Sequence, residues 1–390
     1  MLSEQARSME IAVTGLALDS AIGPVPQAWK TLINGDSGLR PGQPFPTLPP
    51  QPLGLIGDRP ASLAPLTRQL VKAALADAKL TPPLLDCAIV VGSSRGNQAH
   101  WERLAAQYQT RSPSSAGPEL ARWGEIWEQS AAMTAAQIVG TQAAVRSPMA
   151  ACATGLWAIA QGAALIQSGE YERVVVGAVE TPITPLTLVG FERMGALAQT
   201  GAYPFDRDRE GLVLGEGGAI LVLEAAALAQ QRQVPIYGYI TGWGLTADGY
   251  HVSAPAPDRT SAIAAVQQCL TRSGLTPAAI DYIHAHGTAT QLNDHNEADL
   301  IQRLFPPTVW VGSTKGATGH TIGASGALGV VFSLLALRDQ VLPPSVGLRQ
   351  PAFDLNFVRT AQSVPLHRVL VLSFGFGGQN AAIALKRATV

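Results

Sequence analysis

Residues 147–169 read SPMAACATGLWAIAQGAALIQSG. A short apolar run turns at Cys152 into a segment in which Leu156, Ile159, Ala163 and Ile166 recur at helical spacing, and Gly169 supplies a stop. A thiol in the first turn of a helix meets unpaired backbone N–H groups and the positive end of the helix dipole. Both favour the thiolate, the nucleophilic form. The small neighbours Ala150, Ala151, Ala153 and Gly155 leave room for a substrate carbonyl to approach the sulfur. A strand running through a turn into an apolar helix is the repeating unit of an α/β protein, so this stretch sets the fold class along with the first candidate for chemistry.

The partner stretch is 280–329. His286 lies in HAHGTAT directly after a strand expected over 280–284, which places it on a turn. His284, two residues earlier, points to the other side of that strand and reads as structural. His320 closes GSTKGATGH, after Lys315 and just before a helix expected over 324–339. Histidine titrates near neutrality and can hydrogen-bond through both ring nitrogens, which makes it the usual proton handler beside a thiol. One cysteine and two histidines on Gly/Thr-rich turns favour thiol-based acyl transfer, and a cysteine protease fits the same residue types.

The rest of the chain bounds these readings. At 390 residues it calls for one large fold or two halves. Hydrophobic residues at 47%, charged residues at 14% and 39 glycines suit a tightly packed α/β protein, with apolar surface left for a subunit interface. A net charge of −1 and the lack of any basic run give nucleic-acid binding no electrostatic basis. No uninterrupted apolar run reaches membrane-spanning length, the N-terminus shows no signal pattern, and the three scattered cysteines form no disulfide framework. A reducing, cytoplasmic compartment is therefore expected. Cys87, at the opening of a strand, and Cys269, on a helix, read as small buried hydrophobes.

Further strands are expected over 11–15, 87–91, 173–177, 217–223, 236–243, 309–312 and 369–373. Helices are expected over 26–34, 66–79, 121–140, 224–232, 261–273 and 297–304, and 41–60 reads as a surface connection. The cadence of strand, Gly-rich turn and helix runs through 1–235 and again through 236–390 without a literal sequence repeat, which implies a duplicated architecture. No GxGxxG opens a helix, no phosphate loop precedes Lys315, and no metal-ligand spacing occurs, so neither nucleotide nor metal is expected. Gly92-Ser93-Ser94-Arg95-Gly96 is a formal GxSxG after a strand and would make Ser94 a hydrolase nucleophile. Nothing downstream singles out an acid and a histidine to complete it.

Taken in order, VTGL at 13–16, ACATG around Cys152, PFDRDREGLVLGEGG at 204–218, HAHGTAT, STKGATGHTIGASG at 313–326 and SFGFGG at 373–378 resemble the elongating beta-ketoacyl-acyl carrier protein synthases. The resemblance runs over nearly the whole chain. It implies a thiolase-like five-layered α-β-α-β-α fold of two pseudo-symmetric halves, and a homodimer. Its implied activity is decarboxylative Claisen condensation of an acyl group, held on Cys152, with malonyl-carrier protein. Acyl carrier protein in acyl and malonyl forms would be the partner, and no cofactor would be needed beyond the phosphopantetheine arm that enters with it.

By the same resemblance His286 and His320 would donate hydrogen bonds to the malonyl thioester carbonyl, and Lys315 would support them electrostatically. The backbone N–H groups of Cys152 and Phe376 would form the oxyanion hole, with Phe376 also a gate. Thr288 and Thr290 would hold the pantetheine arm. Phe191 and Phe374 would line the substrate path, and Asp294 and Glu297 would support the site. The set Cys/His/His separates the chain from thiolases, which need a second cysteine where this chain has Gly377-Gly378-Gln379, and from initiating synthases, which use Cys/His/Asn. Three positions depart from the pattern: Gln291 and Asn293 replace a proline and a glycine, and Gly329 replaces a glutamate whose place Glu297 is expected to take. Lysine is scarce, so arginines such as Arg68 or Arg193 would dock an acidic carrier. These departures support one alternative, a catalytically weakened ketosynthase-like subunit that binds acyl carrier protein.

Overall fold

The structure, a computed structural model, describes residues 10–110 and 129–388. The first half contributes β1 (Ile11–Ser20), β2 (Ala88–Gly92), β3 (Val145–Arg146), β4 (Arg173–Glu180) and β5 (Gly217–Ala225). The second contributes β6 (Gly238–Ala247), β7 (Tyr282–His284), β8 (Trp310–Gly312), β9 (Asn356–Phe357), β10 (Arg368–Gly375) and β11 (Gln379–Arg387). The main helices are α1 (Leu63–Asp77), α2 (Ser130–Val139), α3 (Thr154–Gln167), α4 (Thr260–Ser273), α5 (Gln291–Leu304) and α6 (Ser325–Asp339).

The strand order is β9-β8-β7-β10-β11-β6-β1-β5-β4-β2-β3. With β9 set aside as an added edge, each half runs third-second-fourth-fifth-first. The first strand pairs antiparallel with the fifth and the fifth with the fourth, while the remaining pairs are parallel, in both halves. Short antiparallel pairing of Ile11–Val13 with Gly238–Ile240 joins the two. The duplication is thus topological: the same connections recur although the residues do not.

Strand periodicity explains the layers. Val90 faces the inner core while Ile89 and Val91 face outward, and in the second half Val369 and Val371 face inward while Leu370 and Leu372 face out. Strands buried on both faces read as continuous apolar runs. The inner core encloses α3 and α6, while α1 and α2 cover the outer face of the first half and α4 and α5 that of the second. Five layers result, α-β-α-β-α, as expected. Helix α6 with its preceding turn is long and apolar enough to cross a membrane, but 89% of that window is buried inside the protein, so it is the core helix of the second half.

Several elements differ from the sequence reading. Helix α5 begins six residues earlier than expected, because Thr290 caps it by accepting from the Asn293 N–H. Strand β11 was not anticipated. Part of the helix expected over 121–140 lies outside the described residues, and α2 occupies its C-terminal portion. The stretch 41–60 is more than a connection: it forms a short hairpin, and Leu53 and Leu55 are buried in one cluster with Cys152 and Phe191. Cys87 and Cys269 are buried, as read.

Helix α4 lies so close to β6 that a Cβ at Gly244 would sit 1.8 Å from the Ala265 carbonyl oxygen. Backbone cannot swing aside as a side-chain tip can. Gly244→Ala is therefore expected to cost about 3 kcal/mol, read as a lowered urea midpoint; an unchanged midpoint would show that α4 does not pack in this register.

Candidate active site

Cys152 stands immediately before the first turn of α3, on a turn in which Ala151 takes φ of +47°. The Thr154 hydroxyl donates to the Ala151 carbonyl and accepts from the Ala150 N–H at 2.9 Å, and the Ser373 hydroxyl donates to the Cys152 carbonyl at 3.0 Å. The equivalent turn of the second half carries His320 ahead of α6, with Ile322 at φ of +42°. A β-branched residue such as Ile322 in that region is strained, and the left-handed position shared with Ala151 makes the two turns alike in backbone as well as in place.

The fold brings these turns face to face. His320 Nε2 lies 3.2 Å from Cys152 Sγ, and its Nδ1 lies 2.9 Å from the Ser325 hydroxyl. The His286 ring stands edge-on to that of His320 with centroids 5.3 Å apart. Lys315 donates its ammonium to the His286 carbonyl and reaches to 3.4 Å from His286 Nδ1. An ammonium has no acceptor, so Nδ1 accepts, and the ring proton is directed to Nε2 on the cavity side. Burial, reinforced by the Lys315 charge, depresses both imidazoles well below the usual histidine range, so both are neutral at physiological pH.

The thiol departs from the sequence expectation. Burial pushes Cys152 up to about 11, against the lowering influence of Lys315, the Phe376 N–H and Arg95. Desolvation outweighs the helix terminus, and the resting group is a thiol hydrogen-bonded to an imidazole.

Beneath the histidines sit two buried carboxylates. Glu297 accepts from the His286 and Gly287 N–H groups at 2.6 and 2.7 Å, and Asp294 from the Phe205 and Ala289 N–H groups at 2.7 and 3.2 Å. Burial raises Asp294 to about 6 and raises Glu297 as well. The Asn293 amide donates to both acids, at 3.2 and 3.3 Å, and the Gln291 amide donates to the Arg209 carbonyl. The two replacements at 291 and 293 thus tie the HAHGTAT turn down by side-chain hydrogen bonds.

At Gly329 the space is taken. A Cβ there would lie 2.8 Å from both Cε1 and Nδ1 of His284. His284 is buried, as read, with Nε2 3.2 Å from the Thr314 hydroxyl and Nδ1 unpartnered, and burial lowers it to about 3. Glu297 acts electrostatically on Lys315 without forming an ion pair within 4 Å.

These groups open onto a cavity of about 320 Å³. Thr288 and Thr290, hydroxyls 2.9 Å apart, line it toward the mouth, and Phe374 stands edge-on to His286. Phe191 and Phe376 stack at 6.0 Å beside Cys152, and the Phe376 N–H is directed at the sulfur. The residues that the resemblance assigned to catalysis, to the oxyanion hole, to substrate binding and to support therefore meet around one cavity or directly beneath it, whereas Arg68 lies exposed on α1, away from it.

Sequence reasoning missed Glu180. Buried at the end of β4, it accepts from the Ser93 hydroxyl (2.7 Å), the Ser94 N–H (2.8 Å) and hydroxyl (2.6 Å), the Arg95 N–H (3.1 Å) and the Gly323 N–H (3.1 Å). One carboxylate thus fastens the GSSRG turn to the His320 turn. Ser94 is committed to that clamp, which disposes of it as a hydrolase nucleophile. The signal available was an acid directly after the apolar run Val174–Val179, a costly placement unless every lone pair is used.

A strand-flanked thiol hydrogen-bonded to one neutral histidine, with a second histidine oriented by a buried lysine, defines the class of thiol-dependent acyl-transferring enzymes on a duplicated α/β frame. Comparison with known proteins makes this specific. Family profiles for the beta-ketoacyl synthase N-terminal domain and C-terminal domain match residues 61–229 and 237–349. A 3-oxoacyl-[acyl-carrier-protein] synthase 2 of Coxiella burnetii is 32% identical, over 97% of this chain and 98% of that protein. One of Rhizobium meliloti is 38% identical, over 62% of this chain and 61% of that protein's length. Among solved structures, a type II PKS ketosynthase in complex with its acyl-carrier protein superposes with a TM-score of 0.91 at 24% identity, covering 98% of this chain and all of that one. The chain belongs to the beta-ketoacyl synthase family, and its fold is thiolase-like.

Two tests address the site itself. With the thiol raised to about 11, the rate of Cys152 alkylation by iodoacetamide should climb about tenfold per pH unit from about pH 7 to about pH 10; a plateau already reached by about pH 8 would mean a resting thiolate. Gly329→Ala should destabilise the fold by up to about 2 kcal/mol, because overpacking against His284 exceeds the gain in helix propensity. The penalty should shrink in a His284→Ala background, and an equal penalty in both backgrounds would place the clash elsewhere.

Proposed function

We propose that the chain is a condensing enzyme that joins an acyl group on Cys152 to malonyl-carrier protein by decarboxylative Claisen condensation, in fatty-acid or polyketide-like synthesis. The observation that carries this is the Cys152–His320 contact at 3.2 Å with His286 and its lysine beside it. An acyl thioester enters, the thiol proton moves to His320 Nε2, and sulfur attacks the carbonyl. The pantetheine sulfur departs and takes the proton back. The Cys152 and Phe376 N–H groups hold the transient oxyanion, an arrangement whose loss costs on the order of a hundredfold in rate.

In the second half-reaction the malonyl C–C bond to the carboxylate breaks and carbon dioxide leaves. Its electron pair becomes an enolate whose oxygen accepts hydrogen bonds from both imidazoles: from His286 Nε2–H, and from His320 Nε2–H once acylation has removed the Cys152 thiol proton and the Ser325 hydroxyl donates to Nδ1, which moves the ring proton to Nε2. The enolate carbon bonds to the acyl carbonyl carbon, the C–S bond to Cys152 breaks, and the thiolate takes up one proton from solvent through His320, the proton that the decarboxylative reaction consumes overall. Decarboxylation generates the carbanion equivalent without a strong base, which suits two neutral histidines. Asp294 and Glu297 act as positioning residues, holding the His286 turn by its backbone.

The partners we assign are acyl carrier protein and a second copy of this chain. Exposed Met194 and Leu292 line the cavity mouth, with Val252 near them and exposed Arg193 one residue from Met194, a surface fitted to an acidic carrier delivering a pantetheine arm. Edge strand β3, with Val145 exposed on it and Met149 exposed just after it, supports the homodimer contact. Cys152 has to remain a free thiol, which favours a reducing compartment such as the cytoplasm.

No resident cofactor is proposed, since the Lys315 ammonium already supplies the positive charge behind His286. The ligand atoms of Cys152, His286 and His320 do lie within 4.8 Å of one another, a spacing that suits a soft divalent cation. Activity should therefore survive EDTA, be inhibited by added zinc and recover on chelation; loss of activity in EDTA would make a metal part of the reaction.

The direct test is intact-mass spectrometry with acyl-carrier thioesters followed by malonyl-carrier protein. Acylation at Cys152, absent in Cys152→Ala, and discharge to a beta-ketoacyl product are expected. His286→Ala should still acylate but discharge about a hundredfold or more slowly. Acylation without discharge in the native protein would favour the weakened, carrier-binding subunit.

A further inference from the structure

The GSSRG turn follows β2 as HAHGTAT follows β7, so the repeated topology puts Arg95 in a place in the first half that corresponds to the neighbourhood of His286 in the second. Both turns lie at the carboxyl ends of parallel strands, where an open α/β sheet builds its sites. The Arg95 guanidinium lies over the Phe191 ring, 5.6 Å from its centroid, and Phe191 lines the cavity beside Cys152 and stacks on Phe376. Its charge is felt at the nucleophile, where it favours thiolate.

Arg95 is not a loose surface arginine. Ser93, Ser94 and the Arg95 N–H are all fixed to Glu180, so the side chain starts from a rigid turn and is only half-exposed. A cation–π contact with the ring does not consume the guanidinium N–H groups as hydrogen-bond donors to an oxygen. Among the described residues, no carboxylate lies within ion-pair distance of it and no side-chain or backbone acceptor takes its donors. Glu180, the acid at the end of β4 to which this turn is fastened, is saturated by five donors.

We propose that Arg95 is a specificity residue that selects oxygen-bearing acyl groups, a carboxylate or ketone oxygen on the chain held by Cys152 accepting hydrogen bonds from its guanidinium. The inference rests on the acyl-Cys152 reading above and deepens it. Arg95 is not itself one of the residues lining the cavity and stands at the Phe191 ring, so an acyl chain meets it by extending past Phe191; an unfunctionalised alkyl chain there covers a cation and strips its water without return. A carboxylate meets the planar fork with charge-assisted hydrogen bonds, and a ketone with weaker ones.

The test measures the rate of Cys152 acylation, by intact mass, from carrier-bound donors matched in length: butyryl, succinyl and 3-oxobutyryl, then hexanoyl, adipyl and 3-oxohexanoyl. In the native protein at least one oxygenated donor of a set is expected to exceed its alkyl counterpart by about tenfold or more. That ratio should fall about tenfold in Arg95→Leu and be partly kept in Arg95→Lys. Preference for adipyl or succinyl alone identifies a carboxylate, and preference for the 3-oxo chains a ketone. Equal or faster alkyl acylation in the native protein overturns the proposal even if the variants fail to fold, as does an unchanged ratio in Arg95→Leu. Failure of every donor to acylate Cys152 overturns the acyl-enzyme reading together with it.

Discussion

The site depends on one close approach, that of the two central helices at their first turns. A Cβ on Gly155 in α3 would lie 2.7 Å from the Ala327 nitrogen and 3.1 Å from the Gly323 carbonyl oxygen, and one on Gly326 in α6 would lie 2.7 Å from Leu156 Cγ. Only glycine at both contacts lets the helices meet this closely. Because Cys152 precedes the first turn and His320 the second, backbone contact there brings sulfur and imidazole to hydrogen-bond distance. Interiors are packed to crystal-like density, so backbone packing holds the spacing at which the thiol and the imidazole hydrogen-bond.

Burial then dictates the chemistry. A thiol, two imidazoles, an ammonium and two carboxylates share a nearly dry volume, and desolvation is the largest influence on every one of them. It favours neutral forms throughout: a protonated thiol, neutral imidazoles, a depressed ammonium and raised carboxyls. A site of neutral donors suits a reaction in which charge appears on an enolate and vanishes again, and it would suit a hydrolase requiring a standing base far less. The backbone N–H groups of His286 and Gly287 reconcile Glu297 with this environment by occupying both its oxygens.

Legibility in the sequence followed periodicity. Cys152 was readable because a strand, a turn and a helical stripe announced its place, and His286 and His320 because glycines and threonines flanked them. The reading failed where contact across the molecule decided. Nothing local indicates that the Cys152 thiol is fully enclosed, so the helix terminus alone pointed to a thiolate. Nothing near Gly329 shows that an imidazole forty-five residues earlier fills the missing side chain's space. Glu180 is an isolated acid in the sequence and acquires its meaning only when five donors from two segments, 93–95 and Gly323, converge on it. The start of α5 was missed for a local reason: Gln291, Leu292, Asn293 carry no apolar stripe, and the Thr290 cap was the only signal.

The duplicated topology shows how one frame yields an asymmetric reaction. Each half offers two turns to the shared site, one before its central helix and one after its second strand. The first half uses these for the nucleophile and for the Glu180-bound turn carrying Arg95 beside the apolar wall of Phe191. The second uses them for His320 and for His286 with Lys315 behind it. In the proposed condensation, substrate carbon would lie against the first half and the enolate charge against the donors of the second. Swapping the two would put the ammonium beside the acyl chain and leave the enolate without donors. The glycines at the helix contact keep the halves in register, and the division of labour between equivalent turns follows from which residue each turn carries.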